Sequence, residues 1–314
     1  MIMKIGFIKP NYPYEKRVAV LPEHIVNSPN ELIIEQNFGE YLDIQDEAYS
    51  KVGAKIESRE HIFATCDIIF CMKLIQESDY DKLREGQTII GWTHPTGSGT
   101  TFMQNQAIPK KLIIVDLDNI YPAVYYLGKK YPISFIKPNF IWRNSYNAGL
   151  CAVYHAVLAH GILPDSNTKV AVLSIGNVSQ GAVASISKFN TNTRIFYRKT
   201  MHLFYETLEE YDIIINGIEV ENSNEHILTK EQQKRLKKGC YIIDAAADAG
   251  NAIEGTHYTT IGNPIYEENG LYFYVVNNAP SILFRETSRA ISESFAKVVY
   301  NADIRTFLDL IRNE

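Results

Sequence analysis

The sequence lacks the features that mark several classes of protein. Its 31 lysines and arginines are outnumbered by 36 aspartates and glutamates, so the net charge is −5 and there is no basic excess for nucleic acid. The longest mostly apolar run, residues 149–163, contains two histidines and is shorter than the roughly 18 residues of a membrane span. The amino-terminal residues contain no apolar stretch of signal-peptide length. We therefore expect a cytoplasmic protein with no membrane or nucleic-acid partner.

Paired cysteines and metal-ligand spacings are lacking as well. The four cysteines form no C-x-x-C motif and lie in apolar segments, which predicts buried, reduced thiols at positions 66, 71, 151 and 240. His155 and His160 are five residues apart on a predicted helix, without a carboxylate pattern. We expect both histidines to be packing residues, and we expect no metal site.

A complete glycine fingerprint is also missing. Dinucleotide-binding loops usually read G-x-G-x-x-G between a strand and a helix. Between the apolar strand KVAVL and a helix start rich in small residues, the three glycine positions hold Ser174, Gly176 and Ser179. Small residues still permit a tight turn with a helix amino terminus directed at a phosphate. We expect cofactor binding by Ser174, Gly176, Asn177, Val178, Ser179, Gln180 and Gly181, and it stays open whether the serines bind phosphate or only replace glycine by being small.

The end of the next strand indicates which coenzyme is bound. Proteins specific for NAD place an acidic residue about 20 residues after the loop, where it binds the ribose 2′-hydroxyl. This sequence has Arg198, Lys199 and Thr200 there instead. Two cations and a hydroxyl suit a 2′-phosphate, so the pattern favours NADP(H). The alternative is a basic surface patch beside an ordinary turn.

Short apolar strands alternate with helical stretches in both halves of the chain, which predicts parallel β-α-β units. We expect an α/β protein with two Rossmann-like domains, each with a parallel sheet, and an inter-domain cleft. A long apolar helix ending at Gly161 leads into the second domain. Residues 1–144 and 282–314 are predicted to form the substrate domain, with a closing helix over 288–300, and residues 145–281 the NADP(H)-binding domain. The predicted strands are 4–8, 31–35, 67–71, 88–92, 111–116, 169–173, 194–197, 212–217, 241–244 and 273–277, and shorter helices are predicted at 21–26 and 78–84.

Three polar residues follow strands of the first domain, where ligands of parallel sheets bind. Arg17 is either a solvated arginine or a planar fork for a carboxylate. Lys73 is either a lysine whose amine reaches water or a cation facing the cleft. His94 precedes Pro-Thr-Gly and is either structural or an acid/base group. Three such residues at the ends of one domain's strands favour a catalytic site.

Strand ends of the second domain add further candidates. Asp244 ends a strand, and Asp248, four residues later, either holds an amine or ribose hydroxyl or caps a turn. Asn277 and Asn278 end the last predicted strand, where an asparagine either meets a nicotinamide amide or makes a turn.

These segments resemble those of the alanine dehydrogenase, transhydrogenase and saccharopine dehydrogenase group. The segments that carry the resemblance are EKRVAVLP, CMK, WTH, IIDAAADAG and YVVNNAP, and they match in order over nearly the whole chain. The glycine-poor loop and the missing acid depart from the alanine dehydrogenase pattern and put NAD and free ammonia in doubt.

Within the group, the compact length and the opening KIGFIKPNYP resemble the opine-type enzymes. That resemblance implies a homotetramer that uses NADPH to join pyruvate to the side-chain amine of ornithine or lysine. It implies that Arg17 and Lys73 bind pyruvate, that His94 is the acid/base group and that Asp248 lies near the reacting centre. By position alone it also makes Glu15, Arg285 and Glu286 candidates for reading the far end of the amino acid.

Overall fold

The computed structural model describes residues 2–220 and 225–312. Its strands are β1 (Lys4–Ile8), β2 (Glu31–Glu35), β3 (Lys55–Glu57), β4 (Ile68–Cys71), β5 (Thr88–Gly91), β6 (Ile113–Asp116), β7 (Ala123–Tyr126), β8 (Lys129–Pro132), β9 (Lys169–Leu173), β10 (Asn192–Phe196), β11 (Ile213–Asn216), β12 (Tyr241–Asp244), β13 (Ala249–Gly250), β14 (Ile253–Glu254), β15 (Ile265–Glu268) and β16 (Leu271–Tyr274). Its α-helices are α1 (Asp46–Lys51), α2 (Arg59–Thr65), α3 (Thr100–Phe102), α4 (Trp142–Ala159), α5 (Asn177–Ile186), α6 (Met201–Glu206), α7 (Lys230–Gln233), α8 (Phe284–Phe295) and α9 (Arg305–Arg312).

The chain divides into two compact units. The first contains Met1–Ile141 and Phe284–Glu314, and the second contains Trp142–Leu283. Each unit has its own mainly parallel sheet, so the predicted α/β class is confirmed.

The sheet of the first unit has the order β3-β2-β1-β4-β5-β6-β7-β8. Strands β3 to β6 run parallel, and β7 and β8 add an antiparallel edge. The chain leaves β1 toward β2 on one side and returns on the other side at β4. Such a reversal opens a crevice beyond the carboxyl ends of the two central strands, which is where the loops carrying Arg17 and Lys73 begin.

The carboxyl-terminal helices complete the core of the first unit. Phe295 of α8 lies against Phe70 of β4 with ring centroids 5.3 Å apart, and Tyr300 lies 5.8 Å from Phe7 of β1. Ile291 and Phe295 are fully buried in the same cluster. Burying aromatic rings of this size contributes about 2–3 kcal/mol each, so this segment belongs to the first unit although it follows the second in sequence.

The sheet of the second unit has the order β10-β9-β11-β12-β16-β15, with β15 antiparallel at one edge. Here the reversal lies between β9 and β11, because the chain leaves β9 toward β10 and returns at β11. Helix α5 begins directly after β9, so its amino terminus lies at this crevice.

Helices α4 and α5 approach each other closely through two glycines. A Cβ at Gly149 would overlap the carbonyl of Val178, and a Cβ at Gly181 would overlap the carbonyl of Tyr146. The helices therefore meet backbone to backbone. Gly181, expected to give the phosphate loop a permissive backbone, lies one turn into α5 and serves this packing.

The structure differs from the sequence prediction mainly in helices and edges. The helices predicted at 21–26 and 78–84 are short 3-10 helices at Pro22–His24 and Glu77–Lys82. Strand β3 and the hairpin of β7 and β8 were not predicted, because Lys55–Glu57 and Lys129–Pro132 lack apolar runs. The closing helix begins at Phe284, four residues before the predicted start, and passes into a π-helical turn at Ala296–Tyr300.

The cysteines at 66, 71, 151 and 240 are buried, and none of them forms a disulfide within the part of the chain that the structure describes. Within residues 2–220 and 225–312, no helix combines the length and apolarity needed to cross a bilayer.

Candidate active site

Arg17 lies in the loop after β1 and is 2% exposed. Its Nε donates to Oε1 of Glu15 over 2.8 Å, and its Nη2 donates to Oε2 over 2.6 Å. The Glu15 carboxylate also accepts the backbone N–H of Arg17, at 3.0 Å. Burial raises the pKa of Glu15, but the charge and hydrogen bonds of Arg17 outweigh it and leave the pKa below its ordinary value. Arg17 is therefore not the solvated arginine of the alternative interpretation.

The same geometry bears on Glu15 as a candidate reader of the amino-acid substrate. Both of its oxygens are held by Arg17, and its side chain is fully buried. Such a carboxylate orients Arg17 and does not face a substrate. Arg285, the second candidate, donates to the carbonyl of Leu42 at 3.0 Å and to Asp43 at 2.5 Å.

Lys73 follows β4 and lies beside Arg17. Its Nζ is 5.8 Å from the centroid of the Trp92 ring, and Cζ of Arg17 is 5.4 Å from the same ring. The ring of Tyr12 lies 5.6 Å from Nζ of Lys73 on another side. Burial and the charge of Arg17 lower the pKa of Lys73 to about 8, with Glu15 acting in the opposite direction. Two cations thus face one aromatic ring at the sheet reversal.

His94 follows β5 in a turn with a left-handed backbone, at φ +44°. Its carbonyl accepts the N–H groups of Gly97 at 3.0 Å and Gly99 at 2.9 Å. His94 is exposed as a residue, yet protein atoms around the imidazole reduce its hydration and lower its pKa. Lys73 lowers it further, against the opposing charges of Asp116 and Asp118. A neutral imidazole near pH 7 is suited to accept a proton.

Asp116, at the end of β6, was not among the residues predicted from the sequence. Its Oδ1 accepts the N–H of Thr93 at 2.7 Å, the hydroxyl of Thr93 at 2.9 Å and the N–H of His94 at 3.2 Å. Burial raises its pKa, and the hydrogen bond from the Thr93 backbone opposes that shift. An aspartate at a strand end is common in turns, so the sequence alone gave no reason to single it out.

In the second unit, Ser174 occupies the first glycine position of the fingerprint. Its backbone is left-handed at φ +90°, a conformation that favours glycine. Its hydroxyl accepts the N–H of Gly176 at 3.0 Å, and its own N–H donates to Phe196 at the end of β10. Gly176 is exposed and precedes the first turn of α5. The amino-terminal turn of a helix attracts anions.

Ser179 lies at the inner side of this turn. It is 1% exposed, and its hydroxyl donates to the carbonyl of Leu173 at 2.8 Å. A Cβ at Gly217, after β11, would overlap that hydroxyl. This geometry favours the interpretation that Ser179 replaces glycine by being small. Of the remaining predicted loop residues, Asn177 and Val178 are half-buried at the start of α5, and exposed Gln180 donates to the carbonyl of Ile175 at 2.9 Å.

The predicted 2′-phosphate residues form a turn next to this loop. The hydroxyl of Thr200 accepts the N–H of Tyr197 at 3.0 Å, and the N–H of Thr200 donates to the carbonyl of Tyr197 at 2.7 Å. Arg198 and Lys199 are both exposed in the turn. Because β10 pairs with β9 in parallel, this turn and the Ser174 loop leave the same edge of the sheet.

Asp244 and Asp248 hold the loop after β12. Asp244 is fully buried, accepts Nδ2 of Asn216 at 2.9 Å and the N–H of Asp248 at 3.1 Å, and has a pKa that burial raises to about 7. Asp248 accepts the N–H of Val220 at 2.9 Å and Nδ2 of Asn251 at 2.7 Å. Both carboxylates therefore bind the loop after β12 and also connect it to the end of β11 and the residues that follow it.

The remaining candidates lie in ordinary surroundings. Asn278 is buried, and its carbonyl accepts the N–H of Ser281 at 2.9 Å. Nδ1 of His155 lies 3.1 Å from the Tyr274 hydroxyl, and the His160 ring packs 4.6 Å from that of Tyr241. Both histidines are packing residues as predicted. In the described ranges, no group of three or more histidine, cysteine, aspartate or glutamate side chains is arranged to hold a metal ion.

Comparison with known protein families decides where the chain belongs. Residues 8–123 match the amino-terminal domain of the alanine dehydrogenase/PNT family, and residues 156–313 match its carboxyl-terminal domain. The chain belongs to the alanine dehydrogenase/PNT family. The resemblance drawn from the sequence motifs is thereby confirmed.

Individual relatives agree with this membership. The chain is 57% identical to the N(5)-(carboxyethyl)ornithine synthase of Clostridium botulinum over 98% of each chain. It is 49% identical to the enzyme of that name from Lactococcus lactis subsp. lactis, over 99% of each chain. Among solved structures, an L-alanine dehydrogenase superposes with a TM-score of 0.78 at 18% identity, covering 99% of this chain and 92% of the other. That likeness shows the same fold.

Proposed function

We propose that this chain is an opine-type oxidoreductase that forms N5-(carboxyethyl)ornithine. The carboxyethyl group has the carbon skeleton of pyruvate, so the substrates we propose are pyruvate and the side-chain amine of ornithine or, less well, lysine. The observation that carries the proposal is that two cations, Arg17 and Lys73, lie beside the ring of Trp92. The chain that places them there is 57% identical to an N(5)-(carboxyethyl)ornithine synthase. The reaction forms a C–N bond, releases the carbonyl oxygen as water and reduces the resulting imine.

Arg17 binds the carboxylate of pyruvate in this proposal. Glu15 holds two of its nitrogens, and a guanidinium has five N–H donors in a planar fork. A guanidinium whose direction is already fixed by Glu15 loses little entropy when it binds a substrate carboxylate. Lys73 donates to the carbonyl oxygen and polarises the carbon that the amine attacks.

His94 moves the protons. The ornithine side-chain amine has an ordinary pKa near 10.4 and must lose a proton before it attacks. The lowered pKa of His94 leaves its imidazole able to accept that proton near neutral pH. The same imidazole, once protonated, returns the proton to the departing hydroxyl.

The loop after β9 suits a nicotinamide dinucleotide. Gly176 is exposed, and a side chain there would meet open space with only the Ser174 hydroxyl 3.5 Å away. The start of α5 and Ser174 would hold the pyrophosphate, and Arg198, Lys199 and Thr200 would hold a 2′-phosphate, which makes NADPH our proposed coenzyme. Asn278 would lie on the nicotinamide side. When bound, the reduced coenzyme supplies the hydride that reduces the imine.

The test follows NADPH absorbance with purified protein and pyruvate, adding ornithine, lysine or ammonia separately. We expect the NADPH absorbance to fall with ornithine and to fall more slowly with lysine. Loss with ammonia alone would instead indicate alanine formation. Replacing pyruvate with 2-oxoglutarate, in the presence of lysine, tests for saccharopine formation.

A second candidate function is a non-catalytic NADP(H)-binding sensor. A sensor needs the Ser174 loop but has no use for desolvated cations beside an aromatic ring in the other unit. Binding of NADPH without turnover of any amine would favour it. We also propose a homotetramer, for which light scattering should give four times the 35.7 kDa mass of the chain.

A further inference from the structure

The turn that carries His94 is fixed from two sides. On one side, the carbonyl of His94 accepts two N–H groups, from Gly97 and Gly99, and a Cβ at Gly99 would overlap the Thr93 carbonyl. On the other side, the N–H groups of Thr93 and His94 both point to Oδ1 of Asp116. Asp116 is 5% exposed, so water does not replace it readily in this role.

This arrangement supports an unfavourable backbone conformation. The left-handed region is strained for a residue with a Cβ, and His94 adopts φ +44°. Two backbone donors and one hydroxyl bound to a single buried carboxylate oxygen offset that strain, since charge-assisted hydrogen bonds are stronger than neutral ones. Without Asp116, fewer interactions would stabilise the turn that positions the imidazole.

We infer that Asp116 is the positioning residue of His94, fixing its turn through the backbone. The negative charge of Asp116 also favours the protonated form of the imidazole. The inference rests on the acid/base role proposed for His94. Asp116 itself touches neither substrate in this account. It opposes Lys73, so the proton affinity of His94 reflects a cation after β4 and a carboxylate at the end of β6.

Other charged and titratable groups also face this pair. Asp118, two residues beyond β6, acts on His94 in the same direction as Asp116. Burial raises the pKa of Tyr125 of β7, and the charges of both aspartates add to that rise. Nζ of Lys130 of β8 lies 5.8 Å from the centroid of the Tyr125 ring. Asp118 differs from Asp116 in its bonding, because its Oδ1 accepts the N–H groups of Ile120 at 2.8 Å and Tyr121 at 2.7 Å. Asp118 therefore provides a matched control for charge alone.

The test is an NMR titration of the His94 ring, assigned by comparison with H94Q, in the wild-type protein and in D116N, D116E and D118N. D116N keeps an oxygen acceptor but removes the charge, and the His94 pKa should fall by at least about half a unit. D118N should shift it less. An unchanged pKa in D116N, or an equal shift in D118N, would overturn the role of Asp116 charge.

Activity gives the second readout. The acidic limb of the pH profile of kcat/KM should move to lower pH in D116N. D116E keeps the charge but displaces the carboxylate, so the His94 pKa should stay near its wild-type value while kcat falls on the order of tenfold or more. Wild-type kcat in D116E would overturn the positioning role, and this holds even if D116N does not fold. If the wild-type protein does not turn over pyruvate and ornithine, the proposed function fails while the NMR titration still decides the link between Asp116 and His94.

Discussion

The candidate site at the carboxyl edge of the first sheet buries its charged side chains, whereas the turn after β10 in the second sheet exposes its two cations. Arg17 is 2% exposed and Asp116 5%, while Arg198 and Lys199 extend into solvent. A small keto acid offers few contacts, so the groups that bind it must be oriented and desolvated beforehand. A dinucleotide offers several phosphate charges, for which backbone N–H groups and exposed cations suffice. Four sets of variants test this contrast, taken from the largest expected effect to the smallest.

Replacing Arg17 with alanine should have the largest effect. It removes the proposed carboxylate ligand and leaves Glu15 buried without its partner, a loss that typically costs about 3–5 kcal/mol. We expect kcat/KM for pyruvate to fall on the order of 100-fold or more, while NADPH affinity stays the same. Steady-state kinetics, coenzyme titration and thermal unfolding measure these three quantities.

The double variant R17A/E15Q is the control for that experiment. Neutralising Glu15 should restore much of the stability but none of the pyruvate use. Wild-type kinetics in R17A would contradict the proposal that Arg17 binds pyruvate.

Lys73 should make both activity and stability depend on pH. Its pKa, lowered to about 8 from an ordinary 10.5, predicts that kcat/KM for pyruvate declines about tenfold per pH unit above 8, because the neutral amine is a weaker donor. Between pH 8 and 10.5 the unfolded chain binds more protons at this lysine than the folded one, so its contribution to the free energy of unfolding rises with pH. Chemical denaturation of wild type and K73M across that range measures the difference in slope.

K73R keeps a charged donor at all these pH values, and its profile should lose the decline near pH 8. If kcat/KM still declines near pH 8 in K73R, the decline reports the titration of another group.

Removing the exposed cations should affect one coenzyme only. In R198A/K199A we expect the Kd of NADPH to rise on the order of 10–100-fold through loss of charge-assisted bonds to the 2′-phosphate, with NADH binding unchanged. Fluorescence titration with both coenzymes measures it. An equal loss of affinity for NADPH and NADH would indicate a general role of the turn in coenzyme binding. Unchanged affinity for both would favour the alternative interpretation, a basic surface patch.

The two serines should have the smallest effects, and of different kinds. S179A loses a buried hydrogen bond to Leu173 and should reduce the free energy of unfolding by about 1 kcal/mol, with NADPH affinity little changed. S174A should weaken NADPH binding a few-fold, because the hydroxyl at that exposed turn can donate to a phosphate oxygen. A stronger effect of S179A than S174A on NADPH affinity would reverse this assignment.

The strands next to the site could be predicted from the sequence because they are buried on both faces. β1, β4, β9 and β12 have continuous apolar runs, which identify parallel strands without any periodicity. Edge strands have no such signal: Lys129–Pro132 is largely exposed and owes its pairing to β7. At 21–26 the apolar spacing indicated a helix, but Pro22 starts a segment that closes after one 3-10 turn.

The candidate site was predictable where charge follows an apolar run. Lys73 and Arg17 stand out because a cation beside buried strands needs a partner. The pairing of Glu15 with Arg17 was not predicted, because it depends on a loop that returns the carboxylate onto a residue two positions away. Asp116 was missed for a similar reason, since its partners, Thr93 and His94, are more than 20 residues earlier in the chain.

The glycine contact between α4 and α5 sets a limit for anyone redesigning coenzyme preference. The hydroxyl of Thr200 holds the turn at 197–200 by bonds to Tyr197, whereas Arg198 and Lys199 are exposed, so these two side chains can be exchanged without breaking the turn. Gly149 and Gly181 offer no such freedom, because even one added methyl group at either would collide with the backbone of the opposite helix and push away α5, whose start is proposed to bind the phosphate. A library that varies 198 and 199 and leaves Thr200 and both glycines untouched would change the residues proposed to select the coenzyme without changing the backbone proposed to hold it.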